Sequence, residues 1–143
     1  SICDQKDKQV IIDVGGDDRG AYALGRISPA ILEENNYEML FVVNPYRPLT
    51  STPEDAVEVM REIEAVAKIK FTAIVNNSNV GNDTTENDVI SCDEYINKLK
   101  QLTGLEVVMT TATKTVAEKL QNHYNNVFEL TLQEKYFDIR KED

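Results

Sequence analysis

The chain has 143 residues, 41% of them hydrophobic and 28% charged, which is the size and composition of one globular domain able to bury its own core. Acidic residues outnumber basic ones 25 to 15, for a net charge of -10 without a lysine- or arginine-dense patch, which argues against direct nucleic-acid binding because phosphate-backbone contacts need clustered cations. Cys3 and Cys92 with no CxxC spacing, one histidine, no apolar run near the roughly eighteen residues of a membrane span and a polar N-terminus exclude a disulfide framework, a structural zinc site and a signal peptide, and point to the cytoplasm.

The first element is Val10-Ile11-Ile12-Asp13-Val14, a continuous apolar run read as a strand covered on both faces, which runs into Gly15, Gly16, Asp17, Asp18 and Gly20. The absence of an initiator methionine and this early core strand suggest a fragment or a trimmed chain. A helix is predicted from Arg19 to about Asn35 on the spacing of Ala21, Leu24, Ile27 and Ile31, with a kink or restart where Ser28 caps and Pro29 takes the first helical position. Residues 39–43 form the second strand, ending at Asn44-Pro45. Thr52, Pro53 and Asp55 then mark a capped helix start, followed by an apolar stripe of Ala56, Val59, Met60, Ile63, Val66 and Ala67, with Glu54, Glu58, Arg61, Glu62 and Glu64 placed elsewhere.

A third strand at 71–75 exits into Asn76-Asn77-Ser78-Asn79. Thr85 with Asp88 offers a second capping box, opening one helix that carries Val89, Cys92, Ile96 and Leu99 and stops at Gly104. Cys92 on that stripe reads as core. Residues 105–109 form the fourth strand, with Thr110-Thr111-Ala112-Thr113 as its polar exit; Thr115 with Glu118 begins a short helix, residues 127–130 form a last strand, and 134–143 is a charged tail. Alternation of strands and helices predicts a single α/β domain over 1–143, a three-layer α/β/α sandwich with a mostly parallel sheet built from right-handed βαβ units.

In such a sheet ligands gather outside the carboxyl ends of the strands, and every strand end here is polar: Asp13 with Asp17 and Asp18, Asn44 with Arg47, Asn76 with Asn77 and Asn79, Thr110 to Lys114. A carboxylate after an apolar strand is a common way to serve Mg²⁺ through its water shell, and it is also what caps a turn; Thr52, Thr85 and Thr115 read first as helix caps. A phosphate-cradling loop needs glycine-rich backbone followed by lysine and Ser/Thr, and no Gly-Lys pair occurs in the chain. No Ser-His-Asp or Cys-His set is supported, since His123 sits in a helix-end context, so no catalytic residue is assigned.

The order Asp13-Val-Gly-Gly-Asp17-Asp-x-Gly20, Val43-Asn-Pro45, the helix from Pro53 to Ala67, and Ile74-Val-Asn76-Asn resembles the C-terminal half of the ParA/MinD-type P-loop ATPases, of the broad CobQ/CobB/MinD/ParA group, over residues 8 to about 125. The resemblance implies a P-loop NTPase-like, Rossmann-like fold and makes Asp13 the Walker B-like aspartate that serves Mg²⁺. It also makes Gly15, Gly16 and Asp17 the turn that senses the γ-phosphate, Asn44 and Pro45 a strand exit near the nucleotide, and Asn76, with Asn77 beside it, the base-side asparagine. The Walker A strand, loop and lysines have no counterpart in the chain, so the resemblance implies Mg²⁺ and ATP in a complete protein and little binding by this chain alone. By the same analogy the phosphate-loop strand would lie between the Asp13 strand and the 39–43 strand, so a P-loop segment is the first expected partner. The alternative reading is a non-enzymatic interaction module that forms a homodimer or binds a basic partner through its sheet edge or acidic cleft. A receiver-like phosphoacceptor built on Asp13, Asp17, Thr110 and Lys114 ranks last, for want of a phosphoacceptor aspartate at the end of a middle strand.

Overall fold

The computed structural model describes residues 8–15 and 18–132. It is an α/β protein: among the described residues, a four-stranded parallel sheet flanked by helices, of the Rossmann-like class the alternating pattern predicts. Helix α1 (Asp18–Glu34) precedes strand β1 (Leu40–Val43). Helix α2 (Pro53–Ala67), strand β2 (Ala73–Asn76), helices α3 (Glu86–Ile90) and α4 (Asp93–Thr103), strand β3 (Val107–Thr113), helix α5 (Lys114–Leu120) and strand β4 (Val127–Leu130) follow. The strands lie in sequence order, β1-β2-β3-β4.

The main core is where α2 and α4 meet the sheet. Ala56 and Met60 from α2 and Ile96 and Leu99 from α4 join Phe41, Val43, Phe71 and Ile74, with the Phe41 and Phe71 rings edge-to-face at 5.1 Å. Both helices therefore cover the same face of β1 and β2. A second cluster seats α5 on β3 through Ala112, Val116, Ala117 and Leu120, with Val89 of α3 closing it. Helix α1 packs on α2 instead, through Ala21, Leu24, Ala67 and Ile69.

Four expectations are corrected. Residues 10–15 do not form a strand: they take no regular structure, and Val10, Ile11 and Ile12 are 43%, 88% and 39% exposed. A strand exists only through the ladder of its neighbour, and no strand among the described residues lies alongside to pair with these. Only Val14 finds an apolar environment, against the α1–α2 cluster. Helix α1 runs unbroken through Pro29. Proline has no N–H for the carbonyl four residues back, and the buried Ser28 hydroxyl donates to that Gly25 carbonyl at 3.2 Å, so Ser28 replaces the missing bond and does not cap a restart. The helix beginning at Thr85 is two helices, broken at Ser91 and Cys92, with the buried Cys92 as the N-cap residue of α4. Thr110 to Thr113 lie inside β3, because pairing with residues 127–130 carries the ladder past Met109; Thr113, not Thr115, is then the N-cap residue of α5.

Other signals act as read. Thr52 Oγ1 accepts the Asp55 N–H at 3.1 Å to start α2, and Thr85 and Asp88 form the full reciprocal capping box of α3. Gly104 ends α4 at φ 72°. Glu64, placed off the apolar stripe of α2, is nonetheless buried: it accepts from Arg61 Nη1 at 2.5 Å and from the Phe71 N–H at 2.9 Å, fastening the approach to β2 onto α2.

Candidate functional site

The carboxyl ends of β1, β2 and β3 are bound together by asparagine side chains. Asn44, just after β1, uses both ends of its amide: Nδ2 donates to the Asn79 carbonyl at 2.9 Å, while Oδ1 accepts the Tyr46 N–H at 3.0 Å and the Asn79 N–H at 3.3 Å. Its own carbonyl accepts the Thr50 hydroxyl at 2.9 Å. Asn77, after β2, donates its N–H to the Val43 carbonyl and accepts on Oδ1 from the Thr111 hydroxyl at 2.6 Å and from Asn79 Nδ2 at 3.2 Å. Asn76 is 1% exposed and faces inward, its Oδ1 accepting the Ser78 hydroxyl at 2.5 Å. No buried side-chain polar atom among the described residues lacks a partner, so the rim is an internally satisfied network.

Two hollows open from this rim. One lies over β3, its rim formed by Asn77, Asn79, Thr84 and Thr111 and its floor by Val89 and Val116. The other runs beside β1, between Val42 and Leu49 on one side and Val59 and Ile63 of α2 on the other, with Asn44 and Arg47 at its upper end. Exit loops are held by tyrosines: the Tyr46 hydroxyl donates to the Asp88 carbonyl at 2.5 Å and the Tyr95 hydroxyl to the Thr50 carbonyl at 2.5 Å. The Ser91 hydroxyl is the strongest influence on Tyr46 and favours its ionised form, but burial and the adjacent Cys92 and Asp88 outweigh it and raise its pKa. Burial pushes Tyr95 above the usual tyrosine range, and burial reinforced by the Asp93 carboxylate does the same for Tyr124.

The structure thus gathers Asn44, Asn76, Asn77, Asn79, Thr110 and Thr111 at one edge, and Pro45 sits half-buried beside them. It does not bring Asp13 to them. Asp13 and Gly15 are exposed in the segment before α1, and no hydrogen bond or ion pair joins Asp13 to the asparagine rim. Gly15 packs against Gly20, where a Cβ would come within 2.4 Å of the Gly15 carbonyl oxygen. Gly16 and Asp17 lie outside the described residues, as do Cys3 and the charged tail.

Magnesium asks for octahedral oxygen coordination, commonly one or two carboxylates completed by water and phosphate. Among the described residues no three His, Cys, Asp or Glu side chains gather, and the solitary exposed Asp13 does not by itself fit a resident cation. Chemically the rim offers amide and hydroxyl groups that bind and orient. The His123–Asp93 contact at 2.7 Å, with Tyr124 on the other carboxylate oxygen at 2.5 Å, lies elsewhere and joins the start of α4 to the turn after α5. The asparagine cross-links were partly visible as a run of Asn after one strand; that Asn44 would answer Asn79 across 35 residues was not, because pairing between exits depends on strand order.

Compared with known proteins, the chain matches no family model, no curated protein and no solved structure.

Proposed function

We propose that this chain is the base-side portion of a ParA/MinD-like nucleotide-binding domain, carrying the exit loops at Asn44-Pro45 and Asn76-Asn77. The observation that carries the reading is the cross-linking of the loops after β1 and β2 to each other and to Thr111 in the carboxyl half of β3, a single polar rim at the edge where α/β proteins hold nucleotides. Within it Asn77 and Asn79 are the half-buried amides that face the hollow over β3, while Asn76 fixes the turn from beneath through Ser78. With no Gly-Lys pair in its 143 residues, the chain has no grip on β- and γ-phosphates, and nucleotide hydrolysis requires a phosphate loop from sequence outside these residues.

Two measurements test the proposal. The genomic reading frame upstream of Ser1 is expected to encode a GKxxxGKT-like stretch, and a frame with a stop codon and no such stretch overturns it. Calorimetry is expected to detect Mg-ATP binding by the longer protein and none by the 143-residue chain; micromolar ATP affinity of the short chain would show that the division of the site proposed here is wrong.

A further inference from the structure

Asn77 lines both hollows, half-buried where the rim joins the loop after β2 to Thr111 of β3. The direction of its amide is set by backbone groups whose roles are not interchangeable, since an N–H only donates and a carbonyl only accepts. Asn79 is fixed first. Its Oδ1 accepts the Gly81 N–H at 3.3 Å and its Nδ2 donates to the Asn77 main-chain carbonyl at 3.1 Å, so turning that amide over would set donor against donor and acceptor against acceptor. The same Nδ2 lies 3.2 Å from the Asn77 side chain, which therefore presents its oxygen there. To that oxygen the Thr111 hydroxyl, 2.6 Å away, can only donate.

An amide oxygen has two lone pairs, and on Asn77 Thr111 and Asn79 take both. What the side chain has left to offer is Nδ2, a donor. Asn44 spends its oxygen in the same way, on the N–H groups of Tyr46 and Asn79. An asparagine reads adenine through two bonds at once, donating to a ring nitrogen and accepting from the exocyclic amino group beside it. Asn77 can make the first and not the second. We infer that Asn77 is a specificity-determining contact that takes the acceptor edge of a base, a ring nitrogen or an exocyclic carbonyl, and does not read the amino group of adenine. Buried Thr111 is the positioning residue that enforces this, acting through Asn77. The inference rests on the base-side reading above and names what that side accepts: a purine with an exocyclic carbonyl at least as readily as one with an amino group.

The probes are inosine and adenosine, which share the ring nitrogen and carry an exocyclic carbonyl and amino group respectively. Without a phosphate grip the binding is weak, so each is titrated to millimolar concentration into the isotope-labelled 143-residue chain and followed in amide correlation spectra. Both are expected to shift the Asn77 side-chain signals, identified by their loss in Asn77→Asp, with inosine bound at least as tightly. Thr111→Val keeps the shape of the side chain and frees one lone pair of Asn77, and is expected to move the ratio of the two affinities about tenfold toward adenosine. Thr111→Ser keeps the hydroxyl and is expected to leave the ratio where it was. Asn77→Asp puts an acceptor in the place of Nδ2 and moves the ratio the same way as Thr111→Val, without asking β3 to take a valine. A tenfold preference of the unaltered chain for adenosine overturns the inference and leaves the base-side reading standing. So does a ratio unmoved by Thr111→Val or Asn77→Asp in a chain of unchanged circular dichroism, or moved equally by Thr111→Ser. Absence of any shift at the rim with either nucleoside overturns the base-side reading, and the inference with it.

Discussion

Residues 10–14 and strand β2 are near twins on paper and opposites in space. Ile11-Ile12-Asp13 and Ile74-Val75-Asn76 both end an apolar run on a short polar side chain ahead of a loop. Every residue of β2 is buried between β1 and β3, whereas Ile11 is 88% exposed and its neighbours pair with nothing in the sheet. The difference is the neighbour: apolar β-branched residues make a strand when two ladders and a helix face receive them, and stay outside the sheet when none does.

The sharpest way to press that comparison is to shorten a side chain on the buried side. Ile74 has no exposed surface and sits amid Phe41, Met60 and Leu99, so Ile74→Ala is expected to cost about 2–5 kcal/mol, read as a lowered urea midpoint with unchanged m-value. A cost below about 1 kcal/mol would mean that the main core is not organised around β2. Next in size is the polar fastening of the same strand. Glu64→Ala leaves the Phe71 N–H without its acceptor and is expected to cost about 1–3 kcal/mol, while Glu64→Gln, which keeps an acceptor oxygen, recovers part of it. Equal losses from both substitutions would place the stabilisation in the Arg61 ion pair and not in the bond to β2. Smaller again is the start of α3: Thr85→Ala removes the hydroxyl that accepts from Asp88 and is expected to cost about 1 kcal/mol in thermal or chemical denaturation.

These magnitudes follow features that differ in how visible they are along the chain. Caps, stripes and terminators are local, so the starts of α2 and α3, the stop at Gly104, the buried Cys92 and the parallel α/β class could be read from spacing alone. Features that need a partner far along the chain could not. The Ser28 hydroxyl serving the Gly25 carbonyl is local but competes with an equally local capping signal at Ser28-Pro29, and the closeness of α1 to α2 settles it: a Cβ on Gly25 would lie 2.7 Å from the Val66 carbonyl oxygen, so a continuous helix can rest there. Thr110 and Thr111 look like a loop until β4 pairs with them. At the candidate site the residue types were legible and their arrangement was not. The polar exits were each recognisable, but that Asn44 reaches Asn79, that Asn77 reaches Thr111, and that Asp13 stands apart from both are consequences of strand order and of a first segment with nothing to pair with.

The smallest expected effect decides the comparison most directly. Ile11 carries the same side chain as Ile74 with 88% of its surface already in water, so truncating it removes almost no burial, and Ile11→Ala is expected to change stability by less than about 0.5 kcal/mol. Side-chain chemistry is held constant between the two positions, and only the surroundings differ. A loss of more than about 1 kcal/mol at Ile11 in the isolated chain would mean that residues 10–14 are covered in solution. The segment would then be a strand after all.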